Sequence, residues 1–589
     1  MRIYKTYNLT VQLKRLLPKR EFRNTKNKIM AEETLDDRLS DLPDSLLLQI
    51  LSLLPTEEAF TTCILSKRWQ YLWTSLDSFI FSPRHFWGRN KGFRSFVDYV
   101  LSHSTASKIT KFQIHCSALH NYKSQISQWL TFAVKKNVQH VVLYSPPPYI
   151  MSQTFFTCSS LITLHLAESS LVSNIVIAWK SLKTIKLEEM VLVDTEIKNL
   201  LSGCPALETI VFNNVGGFRR LEINSLKVKT LKLEGYWVDD GGESDHSFEI
   251  CVPYLQHLEL SQDFHDFKCS LVDASSVVNA KITFDITCIK DLHNDYDQYS
   301  DSDEEDEDSC SDYHQGFKTL IQDYLQKLSR ATKLTFGTLF TQVLCILQFK
   351  GVPIPELECK HLVLELHLEK FSLYGAAGLL RASPLVETLN LEIENQPFDD
   401  SRCYFEREYL VRGDSIDLQS YNSSSVFPNL KNVEIVISSG MCMKEHLNWE
   451  YIRKLFKLSS FLLKKAVALE KFVIVSKRRR CEICGIKCVS RFLSRLASKL
   501  RSSAEFVITY QELVDVSSVV KAKDNPCQDS DDEEDSCSDY YQDSDDEEDC
   551  SSDYYYHDSD DDEDNFDQDS DDDEDNTDQD SDDDEEDEP

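Results

Sequence analysis

Cys481, Cys484 and Cys488 form the one cluster in this chain whose spacing resembles a metal site. A structural zinc site takes four thiolate or imidazole ligands, usually arranged as two paired knuckles. Here the fourth ligand is missing locally, and Lys477, Arg478, Arg479 and Arg480 stand beside the cluster. Structural cysteines are therefore the better reading, and neither a metal nor a cofactor is expected. The histidines are isolated, with no HExxH or comparable pairing, and no GxxxxGK[ST], strand-linked GxGxxG or GxSxG occurs. Nothing in these residues marks an enzyme. The acidic runs do not supply a calcium site either, because an EF-hand loop turns on a glycine at its sixth position and residues 524–589 contain none. Ser302, Ser530, Ser544, Ser559, Ser570 and Ser581 each precede three acidic residues, a setting suited to an acidophilic kinase; the alternative is a solubilising tail.

With catalysis unsupported, the elements of the chain carry the argument. At 589 residues it exceeds one compact core, and its net charge of −36 is unevenly spread. Residues 524–589 hold 37 Asp or Glu and no Lys or Arg, which leaves 62 acids against 63 bases in residues 1–523. So balanced a folded part predicts no long-range attraction for nucleic acid. Residues 1–30 are basic but lack serine, and Met30 opens a natural-looking start; an upstream extension or alternative start fits better than an organelle signal. No apolar run approaches a membrane span. Cys63, Cys116, Cys288 and Cys345 sit in apolar runs, so buried reduced thiols in the nucleus or cytoplasm are expected.

Residues 39–76 predict helices, with Leu46, Ile50, Leu53 and Leu54, then Cys63, Ile64, Leu65 and Trp69, at three- and four-residue spacing. Pro43 can open the first helix; Pro55 ends that segment, and Thr56 offers a cap for the next. From about residue 105 short strand-like runs follow, and one phrase recurs: proline, any residue, aliphatic, two residues, apolar, one residue, apolar. It is carried by Pro205, Leu207, Ile210 and Phe212; by Pro253, Leu255, Leu258 and Leu260; by Pro384, Val386, Leu389 and Leu391; and by Pro428, Leu430, Val433 and Ile435. Between Leu164 and Leu258 the spacings are 21, 25, 21 and 27 residues, the period of leucine-rich repeats. Each repeat should add one strand to a parallel sheet whose core exists only through stacking. The Thr, His, Lys and Glu between the leucines should face outward, onto a concave surface suited to a macromolecule. Residues 291–315 and 524–589, rich in acids and poor in aliphatics, predict a disordered insert and a disordered tail.

The stretch DRLSDLPDSLLLQILSLLPTEEAFTTCILSKRWQYLWTSL (37–76) resembles the F-box, with Phe60 and Cys63 as mild departures. FPNLKNVEI (427–435), FLLKKAVALEKFVI (461–474) and FLSRLASKLRSSAEFVI (492–508) resemble the FBD region of plant F-box/leucine-rich-repeat proteins. The resemblance implies an α/β fold: a short helical F-box at 35–82 behind a basic extension at 1–34, an irregular leucine-rich repeat solenoid at 83–425, and an FBD region at 426–510. It further implies the substrate-recognising, non-catalytic subunit of a ubiquitin ligase. In that role Leu42, Pro43, Leu46, Ile50, Leu51, Leu54, Pro55, Leu65, Trp69, Leu72 and Trp73 serve the SKP-type adaptor of a cullin–RING ligase, and the repeats hold a target protein. The alternative is a nuclear, chaperone-like protein whose acidic tail holds basic clients.

Overall fold

The recurring phrase finds its physical cause in the computed structural model, which describes residues 42–83, 90–116, 122–144, 151–169, 175–237, 248–264, 269–286, 321–349, 351–368, 370–394, 426–437, 447–476, 493–494 and 504–510. Each proline of the phrase takes the second position of a β-turn, where its fixed φ is already correct. The turn is closed by an amide three residues on: Leu207 to the Cys204 carbonyl at 3.1 Å, Leu255 to Val252 at 3.2 Å, and Val386 to Ser383 at 3.2 Å. The three apolar positions that follow each proline are all buried, none more than 4% exposed.

The strands are β1 (Ser78–Phe81), β2 (Lys111–His115), β3 (His140–Tyr144), β4 (Thr163–Ala167), β5 (Thr184–Val191), β6 (Thr209–Gly216), β7 (Arg220–Glu222), β8 (Thr230–Trp237), β9 (Glu249–Cys251), β10 (His257–Phe264), β11 (Ser270–Asp273), β12 (Asn279–Ile286), β13 (Lys333–Phe336), β14 (His361–His367), β15 (Thr388–Glu394), β16 (Asn432–Ile437), β17 (Lys471–Ser476) and β18 (Glu505–Tyr510). Fifteen of them form one sheet, in chain order from β1 to β18, and the other three form a second sheet, β11-β9-β7. Every pairing is parallel. In the large sheet the second and fourth positions of the strands point into the core, as with Leu164 and Leu166, Ile185 and Leu187, and Leu258 and Leu260. The alternation is the period of two that a strand imposes.

Around the sheet lie helices α1 (Asp44–Ser52), α2 (Thr56–Thr61), α3 (Asn90–His103), α4 (Lys123–Lys135), α5 (Gln153–Phe156), α6 (Asp194–Gly203), α7 (Thr338–Phe349), α8 (Lys370–Ala382) and α9 (Leu447–Lys465). Helices α7 and α8 approach so closely at Gly375 that a Cβ there would lie 1.7 Å from the Thr341 carbonyl oxygen. Only glycine fits that crossing.

Three features differ from the sequence expectation. The sheet begins at β1, inside the 35–82 segment, so the helical unit and the repeats share a boundary strand. It continues through β16, β17 and β18, so residues 426–510 extend the solenoid. Thr56 does not cap its helix: Pro55 holds that place, and the Thr56 hydroxyl accepts the Ile80 amide instead at 2.8 Å. The described cysteines are thiols, with Cys116 and Cys345 buried and Cys63 half-buried. The basic extension 1–34, Cys288, the insert 291–315, the basic run 477–480, Cys481, Cys484, Cys488 and the tail 524–589 lie outside the described residues, all of which belong to one unit, Met1–Asp515.

Candidate protein-interaction surfaces

Helix α1 has two apolar faces and packs only one. Leu47 and Leu51 are buried against the unit's own core, which also holds Ala59, Trp69, Leu72, Trp73 and Leu76. Leu46, Ile50 and Leu53, at the four- and three-residue spacing of a single stripe, face solvent, with Leu53 80% exposed. Beyond α2, Ile64 at 70% and Leu65 at 63% are likewise exposed, as is Tyr71. Aliphatic side chains so exposed within one small unit mark an interaction surface, since exposing them to water costs about 25 cal/mol per Å².

The residues expected to serve an adaptor therefore fall into three groups. Pro43, Leu46, Ile50 and Leu65 are exposed, while Leu42, Leu54 and Pro55 are half-buried. Leu51, Trp69, Leu72 and Trp73 are buried in the chain's own core and hold the exposed set in place. Leu53, Ile64 and Tyr71 were missing from that expectation, although Leu53 follows directly from the Leu46–Ile50 spacing.

The start of α1 is fixed by a long-range clamp. Arg68 Nη2 lies 2.7 Å and its Nε 2.9 Å from Asp44 Oδ1, and Nη2 also donates to the Leu42 carbonyl. Phe60, a departure from the F-box pattern, bridges this unit to the repeats. Its ring lies edge-on to Trp73 at 5.0 Å, to Phe96 at 5.5 Å and to Tyr99 at 6.2 Å, so α2 packs against α3 through aromatic contacts. Glu57, only 5% exposed, points into the same junction, where Oε1 accepts the Ser82 amide at 3.4 Å. Its Oε2 is buried with no hydrogen-bond partner among the described residues. Burial pushes this carboxyl up to about 7, against the pull of the Glu57 and Ser82 amides.

The face of the large sheet opposite the core is ordered in rows, polar at the first position and mixed at the third, where Ile80, Val142, Val211, Val363, Val473 and Val507 stand among charged and polar residues. From β1 to β17 the first strand position is always Ser, Lys, His, Thr or Asn; the first acid there is Glu505 in β18. The fifth row holds Glu188, Glu234, Glu365 and Glu392 and no Lys or Arg. Charge is thus graded along the strands, donors first and acids later. Between the rows run ion pairs: Lys232 to Glu259 at 2.6 Å, Lys281 to Glu259 at 3.7 Å, and Lys281 to Glu365 at 2.9 Å. Lys281 reaches across β13 because that strand stops before the fifth row, at side-chain-free Gly337. Nearer the start of the sheet, Glu188 accepts from Lys186 and lies 2.7 Å from His165 Nε2. Burial works to raise the Glu188 carboxyl, but those two hydrogen bonds outweigh it and hold the group below its usual range. Tyr144 lies between His115, stacked at 4.5 Å, and His165, edge-on at 4.9 Å. Among the described residues no group of three or more His, Cys, Asp or Glu is placed to hold a metal, and no helix is long and apolar enough to cross a membrane.

Comparison with known proteins agrees with this division. Residues 39–81 match the F-box domain family, and residues 126–278 match the leucine-rich repeats of FBD-associated F-box protein At5g56370. The putative F-box/LRR-repeat protein At3g18150 of Arabidopsis thaliana is 29% identical over 453 residues, covering 74% of this chain and 86% of its own. F-box/LRR-repeat proteins At5g02910 and At3g03360 of the same plant are 28% and 27% identical, each over 60% of this chain and 72% and 70% of their own.

Proposed function

We propose that this chain, which matches the F-box family over residues 39–81 and the leucine-rich repeats of an FBD-associated F-box protein over residues 126–278, is the substrate-recognition subunit of an SCF-type ubiquitin ligase, binding an SKP-type adaptor through its F-box and a target protein through its repeats. The observation that carries this is the solvent-facing stripe of Leu46, Ile50 and Leu53 within the F-box match. A groove on a partner that covers such a stripe gains the apolar burial which the chain alone forgoes.

In this reading the chain performs no bond chemistry. It raises the effective concentration of a target beside a ubiquitin-charged enzyme, so orientation is what it must supply. Two features support that role. The Thr56–Ile80 hydrogen bond and the Phe60 ring contacts tie the F-box to the first strand and to α3. The fifteen-stranded sheet then presents a long face of varied chemistry. Thiols, most of them buried, fit work in the nucleus or cytoplasm.

The test is capture of a purified SKP-type adaptor by the full chain and by a Leu46→Ala/Ile50→Ala/Leu53→Ala variant. All three positions are exposed, so circular dichroism should be unchanged while capture is lost. Undiminished capture would sink the proposal. Target binding that disappears on truncation to residues 1–523, with adaptor capture absent throughout, would favour the acidic-tail chaperone instead.

A further inference from the structure

Where the sheet runs from β8 to β14 its leading edge is free of acids. The last residue before each strand and the first residue within it are Lys229 and Thr230, Gln256 and His257, Val278 and Asn279, Thr332 and Lys333, and Lys360 and His361. The window is bounded by Glu208 and Glu387, and each of those carboxylates is neutralised, by Lys183 at 3.0 Å and by Lys431 at 3.0 Å. Lys229 and Lys333 make no ion pair among the described residues, and Lys360 acts on Glu387 only as a weaker neighbour than Lys431. Glu358, two residues before Lys360, is offset by Arg330 and Lys227 at the equivalent places of their repeats. The surplus is therefore positive and spans five strands, about 19 Å at the usual strand spacing.

A cavity of ≈200 Å³ opens within this window, lined by Lys232, His257, Glu259, Lys281, Lys333 and Thr335 among others. That volume is below the ~300–1,000 Å³ typical of small-molecule sites, so it takes the end of one side chain rather than a free ligand. Lys232 and Lys281 are already paired with Glu259 and Glu365, which leaves Lys333 as the surplus charge at its rim, and exposed Val278 beside it adds an apolar contact.

We infer that this edge seats an acidic segment of a partner protein, laid across β8 to β14 with one carboxylate side chain inserted among Lys232, Lys281 and Lys333. The inference rests on the repeats being the target-binding part of the molecule and names the charge of what they hold. The chain's net −36 does not prevent it, because at ~0.15 M salt the Debye length is about 8 Å and the local lysines dominate.

The probe is a fluorescent octaglutamate peptide, titrated into the full chain at ~0.15 M salt, with octaglutamine as the neutral control. Binding of octaglutamate alone is expected, weakened about tenfold by Lys229→Gln/Lys333→Gln/Lys360→Gln, as three surface charge contacts would give together. A variant with the same charge change elsewhere, Lys198→Gln/Lys457→Gln/Lys464→Gln, should bind as the parent does. No binding, or equal weakening by both variants, would overturn the site. So would binding that appears only after deletion of residues 291–315, which would make the chain's own insert the occupant. A dimer abolished by the edge substitutions would make a second copy the occupant and overturn it equally. Adaptor capture should survive the edge substitutions; its absence from the parent chain would count against the ligase reading and leave the peptide result standing.

Discussion

The hydroxyl oxygen of Thr56 accepts the backbone amide of Ile80 at 2.8 Å. β1 is the first strand of the large sheet and has a ladder partner, β2, on one side only. Its other side would be an open edge, available for pairing with another chain. Helix α2 covers that edge, and one side chain thereby joins the F-box match to the repeats. Thr56→Val keeps the shape and removes the acceptor, leaving the partly buried Ile80 amide without it. The expected cost is about 1–3 kcal/mol, read as a lower denaturation midpoint in urea. Adaptor capture below that midpoint should persist, because the exposed stripe is untouched.

Leu51 and Leu53 provide a paired test of the two faces of α1. Leu51 is buried in the core, and truncating it to Ala should cost about 2–5 kcal/mol of stability through lost burial and the cavity left behind. Leu53 is 80% exposed, so Leu53→Ala should leave stability within about 0.5 kcal/mol. If Leu53 is an anchor for the adaptor, its loss should nevertheless weaken capture by about 2 kcal/mol. Equal stability changes for the two variants would show that the helix is turned differently.

Glu57 makes stability depend on pH in the direction opposite to an ion-paired carboxylate. Its folded value is raised from 4.5 to about 7, chiefly by burial, with Glu58 adding a small repulsion. Below 4.5 both folded and unfolded chains hold the proton, and the group is neutral in the balance. Between 4.5 and about 7 only the folded chain holds it, so stability falls as pH rises through this window, and the loss is complete above it. A shift of this size is worth about 3 kcal/mol. Glu57→Gln removes the charge while its side-chain oxygen can still accept the Ser82 amide. The variant should match the parent near pH 4.5 and exceed it in melting temperature at pH 8; parallel pH profiles would show that Glu57 is ionised without penalty.

What could be read from the residues alone was whatever a local rule enforces. The second and fourth strand positions had to be apolar, so Ile185, Leu187, Leu258 and Leu260 announced the sheet. Prolines 205, 253 and 384 announced its turns. Leu46 and Leu47 are the same residue type one position apart, and which of them faces water is decided by Trp69 and Trp73, more than twenty residues downstream. Thr56 has the chemistry of a helix cap, but an amide 24 residues away takes its oxygen. The grading of charge along the strands was equally hidden, because each lysine and glutamate looks ordinary until fifteen strands set them in rows. Gly337 is equally mute in the sequence, and only the fold shows that a Cβ there would lie 3.0 Å from the Thr283 Cα.

Glu189 holds a left-handed backbone, with φ 51°, inside β5. Its neighbours repeat the device: Glu168 at φ 52°, Asn214 at φ 49°, Gly235 at φ 80° and Gln262 at φ 66° follow the fifth row of their strands. The turn redirects the chain so that the next residue points inward at Met190, Val215 and Tyr236, all buried; in β10 a register shift makes it Phe264, two residues after Gln262. An L side chain in this conformation costs about 1 kcal/mol or more, because Cβ crowds the following carbonyl. Glycine carries no such cost, as Gly235 illustrates in the same row. Glu189 is exposed, so replacing it removes no core contact. Glu189→Gly should therefore raise stability by about 1 kcal/mol, less what the added freedom of the unfolded chain takes back. The comparison is Glu189→Ala, which keeps Cβ and should gain nothing. If both substitutions move the urea midpoint equally, the gain comes from removing a negative charge beside Glu188, and backbone strain is not its source.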